Sequence, residues 1–394
     1  MMIVTADSAA ERAYARLMED YGERIALARQ QLAKAWRHEN HDRPAVILSD
    51  VNYALCGQND IPENYFKPPV MFHYQMDKIL AHMQNIRDDY VPVLHPWYGT
   101  TVVPSALGVA VCNHKGMDPS LGSPVLREPE DIVRLRKPDP ETDGQMPLVL
   151  ACIDYMKEHT DVPVCITDCQ GPLNIALSLA GVENLFIWMY EEPEAVHQLM
   201  QFCTDVLIDW VRLQKKHAGH MTIGDAYPHA IEIPEGYGGV AFSDDDVTTI
   251  GTVQYQSFVA SYNEQLLEAF GGGSMHFCGS ARHQLDAVSG MRGIRAVNNF
   301  CMGDFEQIRL LQEKMRGCGA VMACDFNAED IRWHTENLKK LAWHPEGLVL
   351  GVFFAPSMAL LRSGKYAAFA RNTQQLVEQY ACVLDEAGIL PVYE

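Results

Sequence analysis

The 394-residue chain is 48% hydrophobic and 21% charged, an ordinary globular composition with enough apolar material for a sizeable core. Its 51 acidic and 31 basic side chains give a formal net charge of -20. A surface of that sign repels phosphate backbones and anionic lipid, which excludes nucleic acid and membrane surfaces as partners and leaves small molecules or another protein. The longest apolar runs stop near about ten residues, short of the ~20 that span a bilayer. The first residues lack the order of a secretory signal, and the eleven cysteines form no compact pairing framework, so a reducing, cytoplasmic location is expected.

Residues 8–38 are rich in Ala, Leu, Arg and Glu at helical spacing and predict one or two helices. They form an N-terminal helical extension, residues 1–40, ahead of a single domain over residues 41–394. "DRPAVILSD" reads as the first strand, ending at Asp50, and "PPVMFHYQMDKILAHMQNIRDD" as an amphipathic helix. "YVPVLHPWYG" is a second strand that delivers His95 to a Pro/Gly loop. "VPVCITDCQGPLNIALSLAG" is a strand and a helix start with Asp168 at the junction, and "HMTIGDAYPHA" is a further strand ending near Asp225 and Tyr227. The runs "GGSMHFCGS", "IRAVNNFCMGD", "CGAVMACDFNAED" and "EGLVLGVFFAPSM" follow, separated by stretches of helical spacing.

Steady alternation of strand and helix predicts parallel βα units. The fold class is therefore α/β, with a (β/α)8 TIM-type barrel as the expected closure; the pattern alone leaves an open doubly wound sheet as the alternative. Active sites of such folds lie at the C-terminal ends of the strands. Asp50, His95, Tyr227, Asp244 and Asn299 are accordingly expected to contact substrate, and Asp168, Asp225 and Asp245 to take part in the chemistry.

The sharpest signal is "HFC". Side chains at i and i+2 of a strand share a face, so His276 and Cys278 aim an imidazole and a thiol into one space. Cys278, Cys301 and Cys324 follow one another at intervals of 23 residues, about one βα unit, which predicts equal register on successive strands. Cys301 or Cys324 would then complete a nitrogen–sulfur set suited to zinc with one position open. Zinc in such a set holds a thiol as thiolate at neutral pH. The alternative is that these side chains only pack inside the domain. "SDDD" at residues 243–246 places Asp244 and Asp245 where either caps a helix or positions substrate, and "EGYGG" before it is expected to be a mobile loop over the site.

"GGGSMHFCGS", preceded by "FSDDD" and "YQSFVASYNEQLLEAFGG", resembles the uroporphyrinogen decarboxylase superfamily over roughly residues 40–390. The resemblance implies a (β/α)8 barrel and one of two activities, decarboxylation or zinc-dependent, corrinoid-linked methyl transfer. The decarboxylase branch carries an arginine-rich segment after the first strand for the carboxylates of its substrate, whereas this chain reads "DVNYALCGQND" there. The methyltransferase branch carries H-x-C, matched by His276 and Cys278, and a distant cysteine in a Gly-rich turn after the last strand. That turn reads "GVFFAP" here, with Val352 or Phe353 in place of the thiol, so the resemblance implies a rearranged site of His276, Cys278 and Cys301, with Cys324 in reserve.

These observations together lead to a zinc-dependent methyl or alkyl transferase acting on a small molecule, with a corrinoid on a partner protein as the implied carrier. A metal-free lyase on a small carboxylate, with His276 or an Asp as acid, and a non-catalytic corrinoid- or pterin-binding protein are the alternatives.

Overall fold

The computed structural model describes residues 8–49, 64–113, 118–220, 224–226, 231–301, 303–327, 331–342, 344–355, 381–382, 384–386 and 388–390. Asp50 and Tyr227 lie outside them, as do the side chains of Asp225 and Cys324. The fold is α/β. Its centre is a parallel sheet of six strands, β1 (Ala45–Ser49), β6 (Val240–Ser243), β7 (Gly273–Cys278), β8 (Ile294–Phe300), β9 (Ala320–Asn327) and β10 (Leu348–Ala355), in the order β1-β10-β9-β8-β7-β6. One face of the sheet is apolar and buried, with Val46, Leu48, Met275, Phe277, Val297, Val321 and Leu350 on it, and the other mixes the buried apolar Ile47, Met322 and Val349 with Ser274, His276 and Asn298.

Two short antiparallel hairpins stand apart from this sheet: β2 (Val111–Cys112) with β3 (Ser120–Leu121), and β4 (Gly224–Ala226) with β5 (Ile231–Ile233). The run "HMTIGDAYPHA" therefore supplies an arm of a hairpin, with Asp225 opposite Glu232, and the parallel strand is "VAFS", immediately before the Asp triplet. "EGYGG" lies between them and is not a loop over the site. Gly239 N–H donates to Gly272 O at 3.0 Å, at the N-terminal end of β7. Gly238 has φ +99°, and a Cβ there would stand 2.0 Å from the Gly272 carbonyl carbon, so only glycine fits.

The two runs expected as the second and third strands join the structure by isolated bridges, Leu94–Val164 and Gln170–Ser243. Pro92, Pro96 and Pro163 remove donors from these segments, which shortens any ladder they can make. Carboxylates replace part of it along β1. The N–H groups of Val46 and Leu48 donate to Asp89 and Asp88 at 2.9 and 2.6 Å, and both acids are buried against Arg43, Arg24 and His82. Buried backbone donors must find partners, and these aspartates provide them.

The helices Ser8–Ala15, Leu17–Asp20 and Gly22–Trp36 open the described chain. The third buries Ile25, Ala28, Leu32, Ala35 and Trp36, an apolar stripe at helical spacing, and packs on β1 and β10. The long helix Pro193–Ala218 stops at Gly219, whose φ of 89° gives a left-handed cap with its N–H on Lys215 O. Among the described residues no single helix is long and apolar enough to cross a membrane.

Candidate metal and thiol site

The C-terminal ends of β6, β7 and β8 converge on one cluster. His276 and Cys278 share a face of β7 as the alternation requires, with Nε2 and Sγ 3.4 Å apart. Asp245, in the turn just after β6, accepts the Cys278 backbone N–H at 2.7 Å and brings Oδ1 to 3.7 Å from His276 Nε2. Ser243 Oγ donates to the other oxygen of Asp245 at 3.1 Å. One ligand atom from each of Asp245, His276 and Cys278 lies within 4.8 Å of the others. His276 is buried, whereas Asp245 and Cys278 are partly exposed, so the cluster opens outward along these two.

The protonation of His276 is set from behind. Asn298, paired with His276 across β7 and β8, presents Oδ1 to Nδ1 at 2.8 Å. An amide oxygen only accepts, so Nδ1 carries the proton and Nε2 turns its lone pair toward Cys278 and Asp245. Burial pulls the imidazole below its ordinary value, opposed by the Asp245 charge and the Asn298 hydrogen bond, and this favours the neutral ring that a metal needs. Neutral imidazole, thiol and carboxylate form a donor set that fits zinc.

Cys301 does not join this cluster. Gly273 pairs with Ile294 but Ser274 with Ala296, so Arg295 is bulged out of the ladder and Cys278 falls opposite Phe300. Cys301 is one residue past register, buried in the apolar core at 1% exposure. Equal sequence spacing thus fails to give equal facing, and Asp245 occupies the third place. Cys324 is paired with Gly351 on β10, one position past the Asn299–Ala323 pair. Of the cysteines elsewhere, Cys152 and Cys203 are buried, whereas Cys112 and Cys382 are exposed.

Asn299 supports the thiol-bearing turn. Its Nδ2 donates to Phe277 O and Gly279 O at 2.9 and 3.1 Å, and its Oδ1 accepts from Gln307 Nε2 at 2.8 Å. Gln307 Oε1 in turn accepts the Ala281 N–H at 2.7 Å. Gln307 and Asn298 were not singled out by the sequence. The i/i+22 offset that a bulge creates was the only signal for Asn298, and nothing in the sequence marks the bulge.

Further carboxyls lie near the cluster, with Asp168 and Asp244 each feeling the charge of Asp245. Asp168 is buried; Oδ2 accepts from Gln170 Nε2 at 2.9 Å and Oδ1 has no hydrogen-bond partner. Burial drives its pKa well above the ordinary range, with Asp245 and Asp118 adding repulsion. Asp118, which the sequence did not single out, accepts from Trp97 Nε1 at 2.9 Å and is raised by burial to about 6. Asp244 is buried, accepts from Asn263 Nδ2 at 2.8 Å and is raised by burial to about 7. His95 is buried beside Trp97, with ring centroids 5.3 Å apart, and burial lowers it to about 3, so it is neutral at ordinary pH.

The protein-family model for uroporphyrinogen decarboxylase (URO-D) matches residues 27–299. A methylated-thiol–coenzyme M methyltransferase of Methanosarcina mazei is 28% identical over 134 residues, 33% of this chain and 35% of that protein. Human uroporphyrinogen decarboxylase is 28% identical over 138 residues, 30% and 37% of the two chains, and that of Syntrophotalea carbinolica is 28% identical over 176, 42% and 46%. The chain thus spans less than half the length of these curated relatives. A solved methyltransferase from Methanosarcina mazei superposes with a TM-score of 0.62 at 16% identity, covering 91% of this chain and 98% of that one, a likeness of fold. With the family model matching well over half of its residues, the chain belongs to the uroporphyrinogen decarboxylase (URO-D) family.

Proposed function

We propose that this protein transfers a methyl or other alkyl group between a small thiol and a corrinoid or similar carrier, at a zinc site made by Asp245, His276 and Cys278. The observation that carries the reading is the orientation of His276, whose Nδ1 is committed to Asn298 while Nε2 faces a thiol and a carboxylate. A relative named methylated-thiol–coenzyme M methyltransferase supports it. We also read the sheet as a closed eight-stranded barrel. Backbone bonds from Asp89 to Val46, Leu94 to Pro163, Cys165 to Leu94 and Ser243 to Cys169 support closure through the two bridged segments. A cytoplasmic setting accords with cysteines that are all free among the described residues.

Zinc bound there supplies the Lewis acidity that holds a substrate thiol as thiolate at neutral pH. The chain's own residues do the rest. Asn298 fixes the imidazole tautomer, Asp245 ties the β6 turn to the Cys278 backbone, and Asn299 with Gln307 holds the turn at 279–281. Such supporting hydrogen bonds orient the ligands before the metal arrives.

A metal-free carboxy-lyase is the second reading, favoured by Asp168, whose burial shifts it toward the protonated form that a general acid needs. Zinc-loaded protein incubated with methylcobalamin and a panel of small thiols separates the two. Thiol-dependent loss of the methyl–cobalt absorbance, abolished by Cys278→Ser, is the expected result. Zinc-independent release of carbon dioxide from a small carboxylate, with no demethylation, would establish the lyase instead.

A further inference from the structure

We infer that Asp118 and Asp168 form a subsite for a positively charged group, a protonated or quaternary amine on the small molecule that reaches the Cys278 centre. The inference rests on the proposed reading of that centre as the place where the substrate reacts, and it adds the chemical class of what binds beside it.

The strongest observation is Asp168. It stands at the end of a bridged segment next to β6, 3% exposed, with one carboxyl oxygen held by Gln170 and the other without a partner. Gln170 is itself tied, accepting from Asn174 Nδ2 at 2.8 Å, so it cannot swing to satisfy both oxygens. A buried carboxyl oxygen left unmatched costs stability, and proteins retain such groups where a ligand completes them.

The surroundings specify the sign of that ligand. Asp118 and Asp245 both lie close enough to Asp168 to raise it electrostatically, while the buried Lys215 acts on the adjacent Cys169 thiol. If Asp245 is engaged with the metal, Asp118 and Asp168 remain as two mutually repelling carboxyls in one low-dielectric space. A cation relieves that repulsion and lets both ionise, whereas a carboxylate or sulfonate adds to it. Trp97 donates its indole N–H to Asp118 and packs against His95, which fixes the Asp118 carboxyl in place.

The test is calorimetric titration of the full chain with three probes: choline, its uncharged carbon isostere 3,3-dimethylbutan-1-ol, and ethanesulfonate. Choline is expected to bind about tenfold or more tightly than the isostere, a difference of ~1.4 kcal/mol or more, and ethanesulfonate not at all. Asp168→Asn and Asp118→Asn should each reduce choline binding about tenfold while leaving zinc content close to wild type and the unfolding midpoint no lower. Asp118→Asn, at the less buried position, carries the test if Asp168→Asn does not fold. Equal binding of choline and its isostere, preference for ethanesulfonate, or indifference to Asp118→Asn would overturn the subsite. A protein that binds choline through these aspartates yet alkylates no thiol supports the subsite and contradicts the transferase reading. One that alkylates thiols without preferring choline overturns the subsite alone.

Discussion

His276 and Asn298 stand opposite one another on adjacent parallel strands, with the ring Nδ1 2.8 Å from the amide oxygen, and this one bond decides which nitrogen of the histidine faces the thiol. It exists because the β7–β8 ladder is bulged at Arg295, which advances the register by one residue. Asn298→Ala should therefore weaken zinc binding about 10- to 100-fold without disturbing the sheet. Competition against a chromophoric chelator, with circular dichroism as the folding control, measures this. Wild-type affinity in the folded variant would show that the tautomer is fixed in some other way.

A second expectation concerns pH. Asp118 is raised by burial from its ordinary value to about 6, so between about pH 4 and 6 the folded state binds more protons than the unfolded state and stability falls as pH rises. Asn at this position keeps an oxygen for the Trp97 N–H and has no charge to bury. The stability of Asp118→Asn relative to wild type should climb across this window and level off above about pH 7, with a total gain of roughly 2 to 3 kcal/mol. Denaturant midpoints at a series of pH values check it, and a difference independent of pH would refute the assignment.

A third expectation concerns backbone packing. Gly238 and Gly236 both have positive φ, +99° and +90°, but a Cβ at Gly238 would meet the Gly272 backbone at 2.0 Å, whereas one at Gly236 meets nothing within 4 Å. Gly236→Ala should cost about 1 kcal/mol for its dihedral alone. Gly238→Ala should cost several times that, or prevent folding, since the strand starts of β6 and β7 must part. Similar midpoints for the two variants would mean that the glycine-rich segment does not pack where it is described.

The sequence made the helices and most of the parallel strands legible, because helical spacing around residues 22–36, 68–85 and 305–315 and short apolar runs elsewhere are local properties. His276 with Cys278 was legible for the same reason, since two-residue alternation needs no knowledge of a neighbouring strand. Cys301 was misread because its facing depends on a bulge in the preceding ladder, a property of two strands at once. The hairpin β4–β5 was read as a parallel strand because its apolar content matches one, and "VAFS" is too short to stand out. Asp118 meets Trp97 across 21 residues and Gln307 meets the Ala281 N–H across 26, and only the tertiary structure brings these partners together.

The central claim, a metal-binding thiol centre at Asp245, His276 and Cys278, is tested most directly by the zinc content of protein purified without chelator, wild type beside Cys278→Ser and Cys301→Ser. The account predicts one zinc per wild-type chain, loss of that zinc in Cys278→Ser with little loss of stability, and full retention in Cys301→Ser despite a cost of about 1 to 3 kcal/mol for a hydroxyl in the apolar core. Zinc retained by Cys278→Ser and lost by Cys301→Ser, or absent from the wild-type protein, would contradict it.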